Sequence, residues 1–179
     1  MKVVIDTSSL LSLVRYYLPF DKNKTLYNFI KSKIESKEIL ILDKVFDECE
    51  YTSKGIVVKT LPYLSSKKNH VNTTDLLPNQ KFFNQLENQF INGVIKNKLS
   101  AVQFENTKNE FMKSADPKLL LYSLQNKNDN VVIVSEETDT SNDNKLYKKL
   151  PAICKILDIT IITLPELLDQ FDGIDFEFK

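Results

Sequence analysis

The chain has 179 residues, with 24 basic and 24 acidic side chains, one histidine, two cysteines, three glycines and 42% hydrophobic residues. That length suits one domain with a sizeable core, and the zero formal net charge offers no global attraction to a polyanion, so any nucleic-acid surface has to be local. Gly55, Gly93 and Gly173 cannot form a glycine-rich phosphate loop, and Cys49 and Cys154 have no paired cysteine or nearby histidine, which excludes the usual nucleotide folds, a zinc site and a disulfide framework.

No apolar run approaches the roughly 18 residues of a membrane-spanning helix, and Met1 leads straight into a strand-like segment without a signal-peptide pattern. The expectation is a cytoplasmic protein with no membrane segment. Lys2 to Ile5 is a short, mostly β-branched run that stops at Asp6. Thr7, Ser8 and Ser9 follow, then Leu10, Leu11, Leu13, Val14, Tyr17 and Leu18 at helical spacing, giving strand, tight turn and helix. Thr25 to Ser36 reads as an amphipathic helix through Leu26, Phe29, Ile30 and Ile34, and Ile39 to Leu42 as a buried strand. A short helix then carries Val45, Phe46, Glu48 and Cys49.

Between residues 51 and 79 the pattern loosens into Ser, Lys and Asn clusters with Gly55, Pro62 and Pro78, which reads as a loop-rich insertion with one candidate strand near Ile56. Phe82, Phe83, Leu86, Phe90, Val94 and Ile95 recur at helical spacing, and another helix spans roughly Phe104 to Lys113. Ser114, Ala115, Asp116 and Pro117 open a further helix, with Asp116 as its cap and Pro117 at its first position. Val131 to Val134 is a strand, Ser135 to Lys145 a polar loop, Leu150 to Leu157 a helix, Ile159 to Thr163 a strand and Glu166 to Phe171 a last helix. The end from 166 to 179 is acidic and reads as solvated. β-Branched runs alternating with helices predict a single α/β domain over 1–179, with a central parallel sheet of four to five strands covered on both faces.

In such a sheet, ligands bind beyond the C-terminal ends of the strands, and here those positions are acidic. Asp6 ends the first strand, Glu48 sits one turn into the helix after the second, Asp116 opens the helix before the next, and Glu136 and Glu137 follow it after one serine. Clustered carboxylates repel unless they share protons or a cation, and oxygen donors suit Mg²⁺ or Mn²⁺, which can promote attack of water on a phosphodiester. Each acid also has an ordinary explanation. Asp6 and Asp116 suit helix N-caps, Glu48 shares its helix with Asp47 and Glu50 on what could be a solvated face, and the loop holding Glu137 and Asp139 could serve solubility alone. The one histidine, His70, lies in the irregular middle, so triad chemistry has no support.

Three stretches, V-I-D-T-S-S-L from Val4, A-D-P-K-L-L from Ala115 and V-I-V-S-E-E from Val132, resemble in order the signature motifs of PIN-domain ribonucleases. The likeness is nearest to a bacterial subfamily whose third motif reads V-T-x-E and is followed by an I-P-x-x-C helix, here Leu150-Pro151-Ala152-Ile153-Cys154. The resemblance implies a three-layer α/β/α fold and Mg²⁺- or Mn²⁺-dependent cleavage of RNA. It assigns catalysis to Asp6, Glu48, Asp116 and Glu137, with metal on Asp6, Asp116 and Glu137, and auxiliary roles to Ser8 and Ser135; of the other loop acids, Glu136 is a further auxiliary candidate and Asp139 a reserve for Glu137. It also implies a toxin of a toxin-antitoxin pair, with an antitoxin protein as partner and a homodimer as its assembly. Arg15, Lys113 and Lys118 are the candidates for holding the RNA backbone. Glu137 departs from the pattern, since many members have Asp there. That departure keeps a second reading open, a PIN-like module that binds RNA or protein without turnover. An aspartate phosphotransferase would want a second Asp two residues after Asp6, where this chain has Ser8.

Overall fold

The computed structural model describes residues 2–139 and 145–171. Strand β1 (Val3–Ile5) is followed at once by α1 (Thr7–Ser12), which continues through a π-helical stretch, Leu13–Tyr17. Helix α2 (Thr25–Glu35) leads into β2 (Ile39–Leu42), α3 (Asp43–Tyr51) and α4 (Ile56–Thr60). A run of 3-10 turns precedes β3 (His70–Val71), after which come α5 (Gln80–Asn88), α6 (Gly93–Lys96), α7 (Ala101–Lys113) and α8 (Ala115–Gln125). Strand β4 (Val132–Val134), α9 (Leu150–Leu157), β5 (Ile161–Ile162) and α10 (Leu164–Asp169) complete the described chain.

The five strands form one sheet in the order β3-β2-β1-β4-β5, and every pairing is parallel. Val3 lies against Ile39 on one side and Val132 on the other, and Ile5 lies against Val134. Successive strand residues point to opposite faces, and Val3, Val4 and Ile5 are all fully buried. Helices therefore cover both faces of β1, which gives the three-layer α/β/α arrangement expected of β-branched runs without polar alternation.

Local chemistry sets the helix boundaries. The Asp21 carboxylate accepts from the backbone N–H groups of Leu26 at 3.1 Å and Tyr27 at 2.9 Å, satisfying otherwise unpaired donors at the start of α2. Leu26, Ile30 and Ile34 then recur every four residues on its buried face. Ser100 and Gln103 form a reciprocal capping box at the start of α7.

Several boundaries differ from those expected of the sequence. The fifth strand is His70–Val71, not the stretch near Ile56, which is helical. Asp43 holds β3 in place, accepting from Thr73 through both its backbone N–H and its hydroxyl, a tie between residues 30 apart that has no local signal. Residues 51–79 are also part of the core, since Val57, Leu61 and Leu64 are fully buried. The apolar series from Phe82 to Ile95 breaks into α5 and α6, because the intervening Ile91 forms an antiparallel bridge with Tyr147. Helix α8 starts at Ala115, so Asp116 lies within its first turn instead of capping it, and α10 starts at Leu164, capped by Thr163. Asp143 of the polar loop, and Asp172, Asp175 and Glu177 of the acidic end, lie outside the described residues.

Candidate active site at the end of the central strands

From β1 the chain proceeds outward to β2 and β3, whereas β4 and β5 lie on the other side, so the order reverses between β1 and β4. A crevice opens at the C-terminal ends of the strands at such a reversal, and Asp6 and Ser135 are the residues that end β1 and β4 there. Asp6 is 5% exposed and Ser135 2%, so both side chains must satisfy their polar atoms internally.

Three donors do this for Asp6. The Thr7 backbone N–H reaches Oδ1 at 2.7 Å, and the hydroxyls of Ser8 and Ser135 reach Oδ2 at 2.6 and 2.9 Å. The same hydroxyl oxygens accept from the strand-end loop, Ser8 from the Glu136 N–H at 3.0 Å and Ser135 from the Glu137 N–H at 3.2 Å. Asp6 is therefore both the cap of α1 and the acceptor at the centre of a clamp joining β1 to β4.

Glu48 spans a second gap. Its Oε2 accepts from the Thr7 hydroxyl at 3.0 Å and its Oε1 from the Ala115 N–H at 2.9 Å, tying α3 to the first turns of α1 and α8. Burial raises the Glu48 pKa, the Ala115 and Thr7 bonds oppose that, and the charges of Asp6 and Glu137 add to it. Asp116 contrasts with both. Among the described residues no hydrogen bond reaches its carboxylate, and burial followed by the charges of Asp6, Glu137 and Glu48 pushes its pKa up to about 8, with Lys145 acting weakly in opposition. Asp6 and Glu48 both bond Thr7, Glu48 bonds the N–H of the residue before Asp116, and Asp116 shares a groove with Glu137, so the four lie at one end of the sheet. Beneath them, the Cys49 and Cys154 thiols are raised to about 12, chiefly by burial, which keeps both protonated and inert.

The Glu137 carboxylate accepts from the Leu150 N–H at 3.1 Å, so it caps α9. Together with Asp116 it lines a groove of about 470 Å³ whose other walls include Glu110, Phe111 and Lys145, Lys148 and Lys149. Phe111 stacks on Tyr147 there, centroids 4.2 Å apart.

A family model described as a domain of unknown function (DUF4411) matches residues 3–173. The chain belongs to this family. No curated protein and no solved structure matches it. The span matched by DUF4411 contains Asp6, Glu48, Asp116 and Glu137, together with every strand of the sheet.

Other residues singled out in this DUF4411 sequence lie elsewhere. Glu136 turns towards α10, where its Oε1 accepts from the Leu164 N–H at 2.6 Å. Asp139 is exposed and lines a neighbouring groove. The Lys118 ammonium donates to the backbone carbonyls of Thr73 at 2.9 Å and Leu76 at 3.0 Å, which ties α8 to the loop after β3. Arg15 donates to the Ser53 hydroxyl, and Lys113 is exposed in the last turn of α7. The cations beside Asp116 are instead those of Lys145-Leu146-Tyr147-Lys148-Lys149, a basic run before Pro151 that backbone bonds from Lys148 to Phe90 and from Asn92 to Leu146, with the Ile91–Tyr147 bridge, hold in place.

The donors at the crevice are all oxygen, which suits a hard divalent cation. Among the described residues no three His, Cys, Asp or Glu side chains gather around one point as a metal cage. Mg²⁺ does not require one, because it is commonly held through one or two carboxylates, retained waters and substrate phosphate oxygens. Among the described residues, Asp116 has no hydrogen bond to its carboxylate and Asp6 keeps lone-pair capacity after three bonds, so both fit that pattern. Among the described residues no helix is long and apolar enough to cross a membrane.

Proposed function

We propose that this chain is a metal-dependent endoribonuclease of the kind its three motifs resemble. The observation that carries this reading is Asp116, a carboxylate without a hydrogen-bond partner among the described residues, its pKa raised first by burial and then by the charges of Asp6, Glu137 and Glu48, beside the reversal point of a parallel sheet. A group in that condition is stabilised by a cation.

Asp116 and Asp6 are the residues that would hold Mg²⁺ or Mn²⁺, and the chemistry such an ion supplies is charge stabilisation on the phosphate together with a more acidic water. The rest falls to the protein. Ser8, Ser135 and the Thr7 N–H fix the Asp6 carboxylate in one orientation. Glu48 fixes the turn that carries Asp116 through the Ala115 N–H. Glu137 borders the same groove, its position set by the start of α9, and the lysines of the groove wall attract the phosphate backbone.

The test is incubation of the purified protein with a panel of RNAs in Mn²⁺ or in chelator, for wild type, Asp6→Asn and Asp116→Asn. Cleavage that requires the ion and falls at least about 100-fold in both variants is the expected result, with folding checked by circular dichroism. Metal-independent RNA or protein binding with no cleavage would favour the non-catalytic module instead. The toxin role extends the same proposal: expression of wild type should arrest growth, Asp116→Asn should not, and a co-expressed antitoxin protein should relieve the arrest.

A further inference from the structure

The groove at Asp116 does not stop at the acids. A second groove of about 490 Å³ shares Lys145, Tyr147, Lys148 and Lys149 with it and continues over α9 to Lys155. The charge balance changes along this path. Among the described residues, Glu110, Asp116 and Glu137 line the first groove, whereas the second has Asp139 in their place and adds Lys155. We propose that the second groove is an extension track for single-stranded polynucleotide, in which Lys148 and Lys155 neutralise phosphates beyond the one at Asp116.

Three features support this assignment, which rests on the ribonuclease reading. The lysines stand on fixed backbone: the Lys148 N–H donates to the Phe90 carbonyl and the Asn92 N–H to the Leu146 carbonyl, each at 2.8 Å, and Ile91 bridges to Tyr147. Ala152, Lys155 and Ile156 line the track at the i, i+3 and i+4 positions of α9, one face of the helix. Ile156 is among the exposed large apolar residues, so the track combines cations with apolar surface, the pairing that suits a charged backbone carrying flat bases. An acidic protein segment would find the same cations, but continuity with the crevice at Asp116 favours a strand that passes through both grooves.

The experiment measures binding of 4- and 12-nucleotide oligouridines by fluorescence anisotropy in chelator, as a function of salt, for wild type, Lys155→Gln and the Lys148→Glu/Lys155→Glu double variant. The expected result is that wild type binds the 12-mer at least about 10-fold more tightly than the 4-mer. The slope of log affinity against log salt for the 12-mer should fall by about 0.7 in Lys155→Gln and about 1.4 in the double variant, at ~0.7 for each phosphate that is no longer neutralised. Cleavage of the 4-mer in Mn²⁺ should stay within about 2-fold of wild type in Lys155→Gln. Unchanged length and salt dependence in both variants, with RNA cleavage by wild type intact, would overturn the track and leave the ribonuclease proposal standing. Failure of wild type to cleave any RNA would overturn the latter. A polyglutamate peptide that competes with the 12-mer at equal affinity would reassign the groove to an acidic protein segment and overturn the track as well.

Discussion

Glu48 accepts a hydrogen bond at 2.9 Å from the backbone N–H of Ala115, a residue 67 positions later in the chain. Its other oxygen takes the Thr7 hydroxyl at 3.0 Å, so one carboxylate fixes the starts of both helices that flank the acidic crevice. Removing it leaves a part-buried N–H without its acceptor, a loss of roughly 1–3 kcal/mol. Glu48→Ala should therefore show a lower urea midpoint with an unchanged slope, while Glu48→Gln, which keeps one acceptor oxygen, stays close to wild type. Equal midpoints for Glu48→Ala and wild type would contradict this.

Asp116 makes stability depend on pH in a definite direction. Its folded pKa of about 8 lies above the ordinary 3.8, so the folded protein holds this proton more tightly than the unfolded chain. Its effect is absent below about pH 4, where both states are protonated. Stability then falls as pH rises towards 8 and levels off beyond. In chelator, Asp116→Asn should match wild type near pH 4 and become the more stable protein by pH 8, with each pKa unit worth about 1.4 kcal/mol. Urea titrations across that range that run parallel for the two proteins would rule the effect out.

Ser135→Ala removes one of the three donors to Asp6 and the acceptor of the Glu137 N–H. The expected cost is about 1–2 kcal/mol of stability. If Asp6 holds the ion, the variant should also need roughly 10–100-fold more Mn²⁺ for half-maximal cleavage, because the orientation of a metal ligand depends on its hydrogen-bond partners. A metal titration indistinguishable from wild type would count against that role for Ser135.

Gly55 sits at φ +69°, and a Cβ built there lies 2.7 Å from the Glu50 carbonyl oxygen. Gly55→Ala should lower stability by roughly 1–3 kcal/mol through the left-handed backbone and the clash with the end of α3. Thermal melts should resolve it, and an unchanged melting temperature would show that the α3–α4 turn can relax.

The two aspartates were legible because each lies at a break that the sequence marks. Asp6 ends a run of apolar residues, and Asp116 sits beside Pro117 at a helix start. Asp116 nevertheless reads locally as a cap, and only the docking of Glu48 on the Ala115 N–H separates its place in the first turn from that role. Glu136 and Glu137 are adjacent and chemically alike, yet one caps α10 and the other α9, a division set by where distant helices begin. Strand β3 is two half-buried residues held by Asp43, so it carries no periodicity to read. The lysines at Asp116 were hidden for the same reason: their run looks like a solvated loop until the bridge between Ile91 and Tyr147 turns it onto the groove.

The bond from Ser135 to Asp6 closes over 129 residues, and β1 lies between β2 and β4 with no exposed residue in it. During vectorial synthesis β1 and β2 can pair early, but β1 keeps one bare edge until the last third of the chain arrives. The acidic crevice is consequently a late product of folding, assembled only when β4 docks. A chain truncated before Val132 would carry neither the clamp on Asp6 nor a covered β1, and its exposed apolar edge would favour association with other incomplete chains.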